Sequence, residues 1–148
     1  MKTTVLLFEI TQDNAKELQR SYGKKLCEKA KRFGKFLSLS HSGKYVAAAA
    51  ADIPVGVDVQ IRADVHTEKI ARRFFSEGEM REWEEAQNRQ EAFFFIWCKK
   101  EALYKSMSPQ PLTVRGADTT GKKFTCIKLP DAFLAATGNA EIICLHDL

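Results

Sequence analysis

Apolar and polar residues alternate along the chain in blocks that switch between a period of two and a period near 3.6. Thr4–Ile10 reads as a strand. From Ala15 to Phe33 the apolar positions Leu18, Tyr22, Leu26, Ala30 and Phe33 fall at helical spacing, with Gly23 as a point of interruption. Phe36–Ser40 and Tyr45–Ala51 read as strands around a turn, His41-Ser42-Gly43-Lys44. Pro54 then precedes a third strand, Val55–Ile61. Its Val55, Val57, Val59 and Ile61 share one face, and Gly56, Asp58 and Gln60 share the other. Asp58 and Gln60 therefore point the same way, about 7 Å apart, and Gly56 leaves room for a close approach beside them.

The second half is richer in helical spacing. A helix is predicted over His66–Phe75. Ser76 and Glu79 have the spacing of a capping box and start a helix through Ala86. A third runs from Arg89 to Met107, where Pro109 and Pro111 stop it. Its Phe93-Phe94-Phe95-Ile96-Trp97 run is too apolar for a surface helix. Short strands are expected at Leu112–Val114, Phe124–Ile127 and Glu141–Leu145. The pattern predicts a single mixed α+β domain over residues 1–148.

Composition narrows the function classes. No apolar run approaches the ~18 residues of a membrane span. The N-terminus meets Glu9 too early for a secretory signal, so a cytoplasmic setting is expected. Four cysteines and three histidines are scattered without paired ligand spacing, which argues against zinc. The net charge is +4. Residues 1–61 hold ten Lys/Arg against six Asp/Glu, and residues 62–148 hold thirteen of each. The basic excess is densest from Lys16 to Lys35 and suits an anionic partner. It is equally the pattern of a solvated helix face. Nothing in it has the aromatic interleaving of a nucleic-acid module.

Two segments carry candidate chemistry. Asp58 is a carboxylate in a run of valines, either an edge residue facing water or a buried-side group needing a cation. Glu101 and Lys105 are four apart on one helical face, with Trp97 one turn earlier and Lys100 beside them. They form either a simple surface pair or the rim of a cleft. Two carboxylates can hold a Mg²⁺ that a substrate's phosphates also bind, with lysines neutralising the rest. The Ser40-His41-Ser42-Gly43 segment is either a polar hairpin turn or a loop for phosphate.

Together the ordered segments FLSLSHSG (36–43), PVGVDVQ (54–60), RRFFSEGE (72–79) and WCKKEALYK (97–105) are more specific than any alone. The set resembles the 4′-phosphopantetheinyl transferase superfamily, in its larger branch of broad carrier-protein range rather than the small trimeric synthases. The resemblance implies two pseudo-related lobes, residues 1–61 and 62–148, with small mixed or antiparallel sheets and packed helices. It implies Mg²⁺-dependent transfer of the phosphopantetheine arm of coenzyme A to a serine of an apo carrier protein, releasing 3′,5′-ADP. Asp58, Gln60 and Glu101 match the metal positions, and Glu101 and Lys105 the catalytic ones. Lys24, Ser40, His41, Lys100 and Lys105 match coenzyme-binding positions, and Glu79 a helix-start residue near the metal. The implied partners are coenzyme A and an acidic carrier protein, with no nucleic acid and no membrane; the oligomeric state stays open.

Two departures stand out. Gln60 occupies a position where many relatives of this branch carry a second strand carboxylate. Only about 35 residues precede the Ser-His segment, which implies a shortened N-terminal lobe. The rival readings are a non-catalytic module that binds coenzyme A or a carrier, and a basic nucleic-acid-binding domain.

Overall fold

A computed structural model describes residues 2–148. Seven strands and four helices follow in the order β1 (Thr3–Glu9), α1 (Ala15–Ala30), β2 (Phe36–Ser42), β3 (Tyr45–Ala51), β4 (Val57–Ile61), α2 (Thr67–Phe74), α3 (Glu77–Glu85), α4 (Arg89–Ser106), β5 (Phe124–Leu129), β6 (Ala132–Thr137) and β7 (Ala140–Leu145). The mixed α+β expectation holds. The strands form two sheets, one ordered β2-β3-β1-β7 and the other β4-β6-β5. All neighbours are antiparallel except β1 and β7. The sheets interleave along the sequence: β4 joins the C-terminal strands, and β7 returns to the sheet of β1.

Alternation along the strands assigns each face of the sheets to a layer. Leu6, Phe8, Val46, Ala48 and Ala50 pack beneath Leu26 and Ala30 of α1. The opposite face, with Val5, Leu7, Ala47 and Ala49, meets Val57, Val59, Leu134 and Ala136 of the second sheet. The far face of that sheet presents Phe133 and Ala135 to Phe93, Phe94, Ile96 and Cys98 of α4. The molecule is thus helix, sheet, sheet, helices. A central helix in such a stack has little solvent to face, and α4 buries Phe93, Phe94, Ile96, Cys98, Lys100 and Ala102.

Several expectations need correction. Helix α1 runs through Gly23 without a break and passes into a 3₁₀ turn at Lys31–Phe33. His41 and Ser42 lie inside β2 with Ser40, not in its turn. The reversal is the two residues Gly43 and Lys44, because Ser42 already pairs with Tyr45; Gly43 has φ 57°, where a glycine carries no side-chain clash. No strand forms at Leu112–Val114, where a 3₁₀ turn spans Val114–Gly116. Strand β6 was not expected. Its sequence AFLAAT is buried on both faces, so it lacks the polar alternation that reveals a half-exposed strand. The capping box is present: the Ser76 hydroxyl accepts the Glu79 N–H, and Glu79 accepts the Ser76 N–H.

Gly56 positions the site. A Cβ there would lie 1.7 Å from the carbonyl oxygen of Ala102. The group approaching the Gly56 backbone is therefore helix α4 itself. Only a glycine lets α4 lie close enough to bring its last turns beside Asp58.

Candidate active site

The site forms where β2, β4 and the C-terminal end of α4 meet. Strand β4 turns Asp58 and Gln60 toward α4, helix α4 supplies Glu101 and Lys105, and β2 supplies Leu39, Ser40 and His41. These residues line one cleft of about 400 Å³. Residues separated by some sixty positions in sequence thus converge on one opening.

Asp58 is buried, at 8% exposure. Its Oδ1 accepts from the Ser40 hydroxyl at 3.3 Å and lies 3.6 Å from the Lys105 ammonium. Its Oδ2 is buried with no hydrogen-bond partner. The Cys98 thiol lies between this carboxylate and the Phe133 carbonyl, 3.7 Å away, and its single proton can serve only one of them. Burial, reinforced by the negative charge of Glu101 and partly offset by Lys105, pushes the Asp58 carboxyl up to about 6. Burial also raises Glu101, against the opposing pull of Lys105. Two carboxylates whose ionisation burial opposes, one of them further hindered by the other's charge, form a site short of positive charge.

Lys105 supplies part of that charge and also joins two strands. Its ammonium donates to the Leu39 carbonyl at 3.1 Å and the Val57 carbonyl at 2.9 Å. Nothing in a one-dimensional pattern revealed this bridging, since both acceptors are backbone oxygens.

A divalent cation fits the donor set. The unpartnered Asp58 Oδ2 is an anionic oxygen already stripped of water, Glu101 adds a second carboxylate, and Gln60 offers an amide oxygen. Among the described residues no group of three or more His, Cys, Asp or Glu side chains gathers to hold a metal. A hard cation of six-oxygen preference would therefore complete its shell with water or substrate oxygens, as Mg²⁺ commonly does.

Three expected site residues lie elsewhere. Lys100 is fully buried. Its ammonium donates to Glu79 Oε1 and to the Ala117 carbonyl, both at 2.8 Å. Helical rotation of about 100° per residue sends it away from Glu101. Glu79 is equally buried, and also accepts from the Thr119 N–H at 2.7 Å and hydroxyl at 2.8 Å; its role is cap and ion pair. Lys24 sits on α1 in a separate shallow groove with Arg20 and Lys25.

A model of the 4′-phosphopantetheinyl transferase superfamily matches residues 54–132. The chain belongs to this superfamily. The matched stretch contains Asp58, Gln60, Glu101 and Lys105, so the superfamily signature and the cleft's α4 and β4 walls coincide. Similar proteins include the 4′-phosphopantetheinyl transferase psf-1 of Bacillus pumilus, 43% identical over 70 residues, covering 46% of this chain and 30% of that protein. The 4′-phosphopantetheinyl transferase gsp of Aneurinibacillus migulanus is 31% identical over 109 residues, 72% of this chain and 44% of that one. The 4′-phosphopantetheinyl transferase Sfp of Bacillus subtilis is 31% identical over 70 residues, 46% and 31% of the two chains. The chain spans less than half the length of each of these transferases.

Proposed function

We propose that this superfamily member transfers the 4′-phosphopantetheine arm of coenzyme A to a serine of an acidic apo carrier protein, with Mg²⁺ held at Asp58 and Glu101. The observation that carries the reading is the buried Asp58 carboxylate, its Oδ1 3.6 Å from the Lys105 ammonium and its Oδ2 without a hydrogen-bond partner, in one cleft with Glu101 and inside the stretch that matches the superfamily. Such an oxygen is costly to bury unless something occupies it during function.

In the reaction the carrier serine Oγ attacks the β-phosphorus of coenzyme A. The bond from that phosphorus to the oxygen bridging the two phosphates breaks, and 3′,5′-ADP leaves. The metal, when bound, neutralises diphosphate charge and stabilises the leaving oxygen. Glu101 takes the serine proton, directly or through a water; its raised proton affinity suits it to that task. Lys105 holds its charge beside the diphosphate in ground and transition states alike. Ser40 and His41 on the β2 wall bind the coenzyme, and the basic face of α1 with Lys24 draws in anionic partners. Gln60 would offer its amide oxygen toward the cation held at Asp58 and Glu101. Phosphoryl chemistry of this kind needs chiefly positioning and charge neutralisation.

Among the described residues no helix is long and apolar enough to cross a membrane; the four cysteines are free thiols, which suits the reducing cytoplasm as the setting of the reaction. The test is incubation with Mg²⁺, coenzyme A and apo carrier proteins, followed by intact mass. The expected result is a gain of one phosphopantetheine on the carrier serine, lost on chelation of the metal. Binding of coenzyme A without transfer to any carrier would leave a non-catalytic module.

A further inference from the structure

The two walls of the cleft belong to different sheets. Strand β2 pairs only with β3, and β4 only with β6, so no backbone ladder fixes one wall against the other. What joins them is a row of side-chain hydroxyls. Ser38, Ser40 and Ser42 alternate along β2 and point at the open edge of β4. Their Oγ atoms accept the N–H groups of Val57 at 3.1 Å, Val59 at 3.0 Å and Ile61 at 3.0 Å. The period of two on one strand meets the period of two on the other, rung for rung. Lys105 closes the same seam by donating to one carbonyl from each strand, Leu39 and Val57.

We propose that Ser38 and Ser42 are positioning residues that set the separation and register of the cleft's walls. Ser40 is the middle rung, and its hydroxyl also reaches Asp58 Oδ1. The outer two rungs touch no cleft residue's side chain in the hydrogen bonds of the structure. They hold β2, with His41, against β4, with Asp58 and Gln60. A seam of hydroxyls keeps the strands further apart than a backbone ladder would. It leaves room between β2 and β4 for Lys105 to reach both. Val57 and Val59 are buried, so without a rung their N–H groups would have no solvent to turn to. The catalytic consequence rests on the transfer reading above; the seam itself does not.

Two measurements on Ser38→Ala and Ser42→Ala test this. Amide hydrogen exchange should quicken about tenfold or more at Val57 in the first variant and at Ile61 in the second, with little change elsewhere. Transfer, assayed well below the melting temperature, should lose about tenfold in kcat/KM in each, because misplacement of the walls disrupts orientation without removing any reacting group. Ser42→Thr keeps the hydroxyl and should restore both. The control is Thr125→Ala. The Thr125 hydroxyl makes an analogous staple to Gly138 and Ala140 at 2.9 Å each, two strands away from β4. That variant should lose stability and keep kcat/KM within about twofold. Unchanged exchange at Val57 and Ile61 would overturn the seam. An equal kcat/KM loss in Thr125→Ala, or no rescue by Ser42→Thr, would overturn the positioning role. A wild-type chain that transfers nothing would defeat the transfer reading, and with it the catalytic consequence; the exchange arm would still judge the seam.

Discussion

Two of the lysine–carboxylate partnerships of helix α4 lie five residues apart, and they are opposites. Lys100 and Glu79 are both fully buried. Every oxygen of Glu79 is served, by the Ser76 and Thr119 N–H groups, the Thr119 hydroxyl and the Lys100 ammonium. Lys105 and Asp58 are 3.6 Å apart and edge a cleft, and one oxygen of Asp58 is served by nothing. The first pair is complete and therefore structural. The second is incomplete, and under the proposed function its incompleteness leaves a place for a cation. Satisfaction, more than charge or burial, separates scaffold from site.

The largest effect that this contrast predicts is on the complete pair. Lys100→Met removes the ammonium and leaves a buried carboxylate. It should cost about 3–5 kcal/mol of unfolding free energy, read from denaturant titration. The double variant Glu79→Gln with Lys100→Met should recover part of that loss, because it leaves no buried charge unpaired and keeps an acceptor oxygen for the Ser76 and Thr119 donors. A Lys100→Met protein as stable as wild type would mean the pair is dispensable to the scaffold.

Changes in the cleft that holds the incomplete pair should spare folding and remove turnover, and Glu101 lines that cleft. Glu101→Gln is expected to lower kcat by roughly 10²–10⁴-fold while melting within a few degrees of wild type. Near-normal turnover would remove Glu101 from the site.

Asp58 gives the contrast its pH signature. Its carboxyl is pushed up to about 6 from an ordinary value near 3.8, so the folded chain binds the extra proton between those values. Stability from this group is therefore greatest at low pH, falls as pH rises through about 4 to 6, and stays reduced above. Asp58→Asn carries no such penalty. At pH 7.5 without metal it should be more stable than wild type by on the order of 2 kcal/mol, and at pH 4 the difference should nearly vanish. Turnover should be almost abolished at both. Mg²⁺ should raise the melting temperature of wild type and not of the variant. A variant less stable than wild type at pH 7.5 would show that the carboxylate is already compensated.

How much of this could be read from sequence depends on which symmetry each residue obeys. Asp58 and Gln60 were placed together because a strand has an exact period of two, and Ser76 with Glu79 because a cap has fixed spacing. The alternation of Ser38, Ser40 and Ser42 was equally visible, but its meaning needed the edge of β4 beside it. Lys100 went wrong for a different reason. A residue adjacent to Glu101 is rotated by about 100°, and only the packing of α3 shows which of the two neighbours faces solvent. Strand β6 hid because both of its faces are buried, and Lys105's carbonyl partners hid because backbone atoms have no sequence signature.

Gln60 offers the smallest and finest test of the comparison. It lines the same cleft as Asp58 and Glu101, but it adds an oxygen without adding charge. Gln60→Glu would give a cation a third carboxylate, and affinity for hard divalent ions rises with the number of charged ligands. The Mg²⁺ concentration for half-maximal transfer should fall by roughly two- to tenfold, with the product unchanged. The same substitution should slightly destabilise the metal-free protein above pH 6, because a further negative charge faces two groups whose ionisation is already hindered. These two effects have opposite signs and a common cause. If Gln60→Glu shifted neither the metal dependence nor the metal-free stability, Gln60 would lie outside the field of the two carboxylates, and the cation would be held by Asp58 and Glu101 alone.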